Sequence, residues 1–291
     1  MFYLPGPLAR IYLALNRSYQ QSLTVLYRYV NAIIEETIQM DQSIIAQRKR
    51  TSLIASLVGS LQQDEMSEAL KAEEDKRGLS RQEIFDEILL FLVAGFETTS
   101  TALTWFIYFV SIHPRVQTKM KLELVEHNIR NEEYPTVQQI DSLVYLDCVI
   151  NEVLRFAPPI NGAARKALAD DRLPSNGTRV YKGEQIFIPF YNLARDKRYW
   201  TYDPDQFYPE RYMMEGTENQ QDKQYVSLAF GGGHRQCIGQ DLARFELKVI
   251  CTRLMQKVTF GDGGPEVNAG GYQQRLSIMP KHIGVTMTFD N

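Results

Sequence analysis

From Ser80 to His113 the sequence holds no proline and a single glycine, Gly95, and no other stretch limits the fold as strongly. Ser80 with Glu83 makes a capping box, and Pro114 stops the run. At 1.5 Å per residue the helix predicted over 81–113 is on the order of 45–50 Å long, so it must cross a whole domain. From Ile88 to Ile112 its only formal charge is Glu97, and Ile88 to Gly95 is continuously apolar. A membrane span and a buried core helix both suit such a run. The stretch Glu97-Thr98-Thr99-Ser100 decides between them, because a lipid-facing carboxylate at mid-bilayer is expensive. A buried helix lining a functional cavity accounts for both the apolar run and its polar centre.

A length of 291 residues allows one large domain or two ordinary ones. Hydrophobic residues at 44% and charged residues at 23% exclude a disordered, collagenous or disulfide-scaffold chain. The formal net charge of −3 lacks the basic excess that drives nonspecific binding to nucleic acid, so no nucleic-acid partner is expected. Cys148, Cys237 and Cys251 form no CxxC pair, which fits a reducing compartment. Near the N-terminus, Arg10, Asn16 and Arg17 interrupt the apolar residues, so neither a signal-peptide core nor a span is predicted there.

No repeat or low-complexity tract divides the chain, and a single domain over 1–291 is predicted. Leu23, Leu26, Val30, Ile33, Ile34 and Ile38, then Leu53, Ile54, Leu57, Val58 and Leu61, recur at helical spacing and predict opening helices within 18–61. The charged stretch Asp64–Arg77 reads as a solvated loop. Beyond Pro114, helices are predicted around 116–129, 137–140 and 146–156, the last ended by Pro158-Pro159. Residues 179–181 and 185–188, separated by Lys182-Gly183, read as a β-hairpin in a small sheet at about 165–190. Asn176-Gly177-Thr178 matches a glycosylation acceptor and also reads as a turn. Met213–Gln224 is polar and irregular, and a helix follows over 240–258 with Leu242, Phe245, Val249 and Leu254 inward. The Gly-rich tail suggests a closing hairpin. The predicted class is mainly α with small β-sheets.

The most informative stretch is Phe230-Gly231-Gly232-Gly233-His234-Arg235-Gln236-Cys237-Ile238-Gly239. It places one cysteine on a Gly-rich loop just before a helix. The positive dipole end of that helix and its orphan N–H groups favour a thiolate, and the glycines let backbone amides approach the sulfur. A phosphate loop would need a following Gly-Lys-Ser/Thr, and a zinc site would need a second ligand cluster. Cys148 and Cys251 read as core residues.

The spacing F-x-x-G-x-R-x-C-x-G closely resembles the haem-thiolate motif of the cytochrome P450 superfamily. Three further motifs occur in that family's order: Ala94-Gly95-Phe96-Glu97-Thr98-Thr99, Glu152-x-x-Arg155, and Phe207-Tyr208-Pro209-Glu210-Arg211-Tyr212. The resemblance covers the chain from the opening helices to the C-terminus, most like an animal microsomal member. It implies the cytochrome P450 fold with haem b (iron protoporphyrin IX) as cofactor and Cys237 as axial ligand of the iron. Arg235 and Arg165 would hold the propionates, though an isolated arginine such as Arg165 also reads as a solvated charge. Phe230 would pack beside the thiolate, or serve the core alone. Ala94 and Gly95 would leave room for the macrocycle, with Gly239 completing the cysteine motif. Glu97 and Thr98 would order water and deliver protons, while Thr98 and Thr99 could also bond back to the preceding turn. Glu152, Arg155 and Arg211 would form an architectural network.

The function implied is insertion of one oxygen atom from O₂ into a lipophilic substrate: a steroid, fatty acid or xenobiotic. The implied partner is NADPH-cytochrome P450 reductase, with Arg235, Arg244 and Lys248 as candidate contacts by charge. The family also implies membrane association of the full-length protein, on the cytosolic face of the endoplasmic reticulum. The chain is short for that architecture, so the resemblance points to its C-terminal portion with the N-terminal part missing. The alternative expectation is therefore a nonenzymatic fragment with impaired haem binding.

Overall fold

The computed structural model describes residues 6–40, 44, 48, 52–61, 78–129, 134–213 and 228–290. The loop expected over Asp64–Arg77 and all but Met213 of the polar stretch Met213–Gln224 lie outside them. The chain divides into two compact units, 1–94 and 95–291, the boundary falling inside the long helix.

The first unit contains α1 (Gly6–Leu15), α2 (Arg17–Ile38), α3 (Leu53–Val58) and the opening turns of α4 (Arg81–Ile112). The starts of α2, α3 and α4 have side-chain caps. Asn16 accepts from Tyr19 N at 3.0 Å, Ser52 from Ala55 N at 3.3 Å, and Ser80 and Glu83 cap one another's backbone. Val30, Ile34, Val58, Ile84, Phe85 and Ile88 interlock as its core, and Tyr27 stacks on Phe85 at 4.6 Å. Arg81 binds Glu35 at 2.7 Å and Asn31 at 3.2 Å across α2.

The second unit continues with α5 (Pro114–Glu126), α6 (Val137–Asp141), α7 (Val144–Phe156), α8 (Phe190–Leu193), α9 (Gln240–Lys257) and α10 (Pro265–Asn268). Its core joins Ala102, Phe106 and Val110 of α4 to Met120, Val149 and Val153, and to Leu247, Cys251 and Met255 of α9. The long helix is thus buried on one face at each end. Leu90, Leu92, Val93 and Phe96 between them are exposed, against the expectation of a buried helix throughout. The described elements pack on the Ile84–Ile88 face and the Ala102–Val110 face only.

Four two-stranded antiparallel sheets complete the unit: β1 (Ala163–Lys166) with β4 (Gln185–Ile188), β2 (Asp171–Arg172) with β3 (Arg179–Val180), β5 (Val258–Asp262) with β8 (Val285–Phe289), and β6 (Tyr272–Gln274) with β7 (Ile278–Pro280). The hairpin expected between 179–181 and 185–188 is not formed. Gly183, at φ +93°, donates its N–H to the Ala167 carbonyl at 2.9 Å, and this starts β4 alongside β1 instead. Asn176-Gly177-Thr178 forms the turn between β2 and β3, with Asn176 accepting from Thr178 N at 3.0 Å. The closing strands pair as β5 and β8 and enclose the β6–β7 hairpin.

The inward face of α9 differs from the expectation in its first turns, while Leu254 packs against the core as expected. Leu242 and Phe245 are exposed, while Leu247, Cys251 and Met255, at i, i+4 and i+8, face the core. Hydrophobic size alone misphased this helix, because its buried stripe also carries Lys248, Thr252 and Gln256.

Polar side chains lock the elements where apolar packing ends. Gln117 pairs with both backbone groups of Phe260, at 2.9 and 2.8 Å. Glu123 accepts from the N–H groups of Tyr145 and Leu146 at 2.6 and 2.9 Å, which caps the first turn of α7. Glu210 receives Arg115 and Lys119, each at 2.6 Å, and the Tyr145 hydroxyl at 3.2 Å. Burial raises the Glu210 carboxyl, but the two cations outweigh it and hold it at about 2. A carboxyl depressed in the folded state contributes stability that is complete above its ordinary range and is lost as pH falls toward 2. Glu210→Gln should lower stability at neutral pH by about 1–2 kcal/mol and flatten the acid limb of the stability curve. Denaturant melts of both proteins between pH 7 and 2 check this; parallel curves would contradict it.

Candidate functional site

Two left-handed glycines, Gly231 at φ +72° and Gly233 at φ +68°, fold the cysteine loop. The Cys237 N–H closes it by donating to the Phe230 carbonyl at 2.9 Å. Cys237 is exposed and stands immediately before α9, whereas Cys148 and Cys251 are buried. Burial pushes the Cys148 thiol up to about 11 and raises that of Cys251 as well. Of the three sulfurs, Cys237 alone is placed for an external ligand. A Cβ at Gly239 would make only an ordinary van der Waals contact with its Sγ, at 4.0 Å.

Phe230 is half-buried against the core, and the Arg244 guanidinium lies 5.0 Å from its ring while donating to Asn151 at 2.7 Å. Arg235 is exposed, with no hydrogen-bond partner among the described residues. Arg165, in β1, uses one donor on the Ala164 carbonyl at 3.0 Å and has no partner for the others among the described residues. Lys248 departs from its expected surface role. It is 7% exposed and pairs with Asp147 at 2.8 Å, so its charge is spent inside the fold.

On α4, Ala94 and Gly95 are exposed, and a Cβ on Gly95 would meet nothing within 4 Å. Glu97 and Thr98 are half-buried. Ser100 donates to the Glu97 carbonyl at 3.2 Å and Thr104 to the Ser100 carbonyl at 2.7 Å, both back to the preceding turn. The Glu97 carboxylate accepts from Ser277 Oγ at 2.8 Å, and Ser277 Oγ lies 2.8 Å from Thr101 Oγ1. Sequence reasoning missed Ser277 and Thr101. A serine 180 residues from its acid carries no local signal.

The structure brings Glu152, Arg155 and Arg211 together in full burial. Arg155 clasps the Glu152 carboxylate through Nε at 2.7 Å and Nη2 at 2.9 Å. Arg211 Nε approaches it at 3.0 Å, and the Tyr208 N–H donates to it at 2.7 Å. The remaining guanidinium donors bind the carbonyls of Ala194, Pro204, Asp203 and Gln206 at 2.8, 2.9, 3.0 and 2.9 Å. The Trp200 ring lies 5.2 Å from the Arg155 guanidinium and 5.1 Å from that of Arg211. A separate cavity of about 640 Å³ is walled by Trp105, Phe109, His113 and Tyr272 together with Phe207, the first residue of the Phe207–Tyr212 motif.

The family model described as Cytochrome P450 matches residues 2–280, and the chain belongs to that family. Its fold is accordingly the mainly α cytochrome P450 class with small sheets. Cytochrome P450 3A17 of Cavia porcellus is 34% identical over 243 residues, 82% of this chain and 47% of that protein. Cytochrome P450 3A14 of Cavia porcellus is 37% identical, and Cytochrome P450 3A7 of Homo sapiens 35%, each over 67% of this chain and 37% of theirs. The chain therefore spans about half the length, or less, of the curated relatives it matches.

The residues present fit a haem. Within the second unit they include one accessible sulfur on the Gly-rich loop, two arginines with donors to spare, and an open helix surface at Gly95.

Removing Glu152 would leave two buried guanidiniums without their counter-charge. Glu152→Ala should cost about 3–5 kcal/mol, read as lost soluble protein or a collapsed melting transition. A soluble variant melting like the parent would contradict the network's architectural role.

Proposed function

We propose that this chain carries the haem-binding portion of a monooxygenase that inserts one oxygen atom from O₂ into a lipophilic molecule such as a steroid, fatty acid or xenobiotic. The observation that carries this reading is the exposed Cys237 on its Gly-rich loop, against the buried Cys148 and Cys251. Bound haem b would supply the activation of O₂ and the transfer of its oxygen atom. Cys237 would hold the iron through its sulfur, and Phe230 would limit water beside it. Arg235 and Arg165 would pair with the propionates through their open donors. Ala94 and Gly95 would let the helix pass close to the macrocycle.

Glu97 and Thr98 would order water and pass protons inward. Among the described residues, Ser277 occupies Glu97 Oε1 and leaves Oε2 without a partner, so Oε2 is the oxygen placed to exchange protons. Electrons would come from NADPH-cytochrome P450 reductase, with the exposed Arg235 as a docking contact. The location on the cytosolic face of the endoplasmic reticulum rests on the similarity to the 3A proteins.

Reduced chain treated with carbon monoxide should show the red-shifted Soret band of thiolate-bound haem, and Cys237→Ser should abolish it. Chain unable to take up haem would overturn the reading and leave a nonenzymatic fragment. Thr98→Ala should divert reducing equivalents several-fold toward hydrogen peroxide. Unchanged coupling of electron use to product would remove Thr98 from the proton path.

A further inference from the structure

We infer that Ser277, on the β6–β7 hairpin, is a positioning residue for the acid Glu97, with Thr101 fixing the direction of its hydroxyl. The inference rests on the proton-delivery reading of Glu97 and deepens it. Ser277 and Thr101 are both 0% exposed, so neither hydroxyl can turn to water. An ionised carboxylate only accepts, which commits the Ser277 proton to Glu97 Oε1. Thr101 must then donate to Ser277 Oγ. The three groups form one directed chain, Thr101 to Ser277 to Glu97, with both links at 2.8 Å.

The hairpin holds Ser277 independently of Glu97. Its neighbour Ile278 donates its N–H to the Pro159 carbonyl at 2.8 Å and accepts from Trp105 Nε1 at 2.8 Å. Ser277 is therefore held through both backbone groups of its neighbour Ile278, and the acid conforms to it. A half-buried glutamate otherwise has three rotatable bonds with which to leave its working position. Anchoring Oε1 restricts those rotations while keeping Oε2 open.

The test uses the purified full chain with glutamate labelled with ¹³C at the side-chain carboxyl. The Glu97 signal is assigned by its disappearance in Glu97→Gln. Ser277→Ala should shift and broaden that signal while leaving the others in place. Ser277→Thr, which keeps a hydroxyl, should restore it, and Thr101→Val should move it in the same sense by less. In chain that shows the thiolate Soret band, Ser277→Ala should also raise the share of electrons released as hydrogen peroxide several-fold, with Ser277→Thr close to the parent. A Glu97 signal unmoved by both Ser277→Ala and Thr101→Val would overturn the inference and leave the monooxygenase reading intact. Absence of haem would instead overturn that reading, and the carboxyl signal would still decide whether Ser277 positions Glu97.

Discussion

One buried carboxylate shared by two guanidiniums holds the irregular part of this molecule. The segment from Ala194 to Gln206 has few ladder partners of its own, and its carbonyls would be orphaned in the interior. Arg155 and Arg211 fill that gap, because a guanidinium carries five donors in a fixed fork. Glu152 supplies the charge that makes two such cations tolerable without water, and the Trp200 ring near both adds a favourable quadrupole. The arrangement runs from α7 to Tyr208 and Arg211, close in sequence to the polar stretch that leads into the cysteine loop.

The long helix and the hairpin near the C-terminus form the second linked system. Trp105 binds the Ile278 carbonyl, and Thr101 and Glu97 meet Ser277, so a single face of α4 meets the β6–β7 hairpin at three polar points. The acid lies at the end of that row. Its geometry depends on residues far away in the chain, Ser277 above all.

Features with local causes were legible in the sequence. The Ser80 and Glu83 cap, the Pro114 stop and the Gly-rich loop each depend on neighbouring residues, and the structure places all of them as the spacing predicts. Glu152 and Arg155 share a helical face, so their pairing was legible too. Features decided by distant partners were not. The 179–188 hairpin failed because β1 and β2 compete for its strands. The phase of α9 was misread because Lys248 and Gln256 are buried by specific polar bonds. Ser277 was silent because its partners lie at least 176 residues away.

On the proposed reading, Cys237 is the sulfur ligand of a haem iron in a chain whose two other thiols are buried. Electron paramagnetic resonance of the ferric protein loaded with one equivalent of haem tests this most directly. The account predicts the narrow low-spin signal of cysteinate-ligated iron in the parent chain and its loss in Cys237→Ala. The same signal in both proteins, or none in the parent, would contradict it.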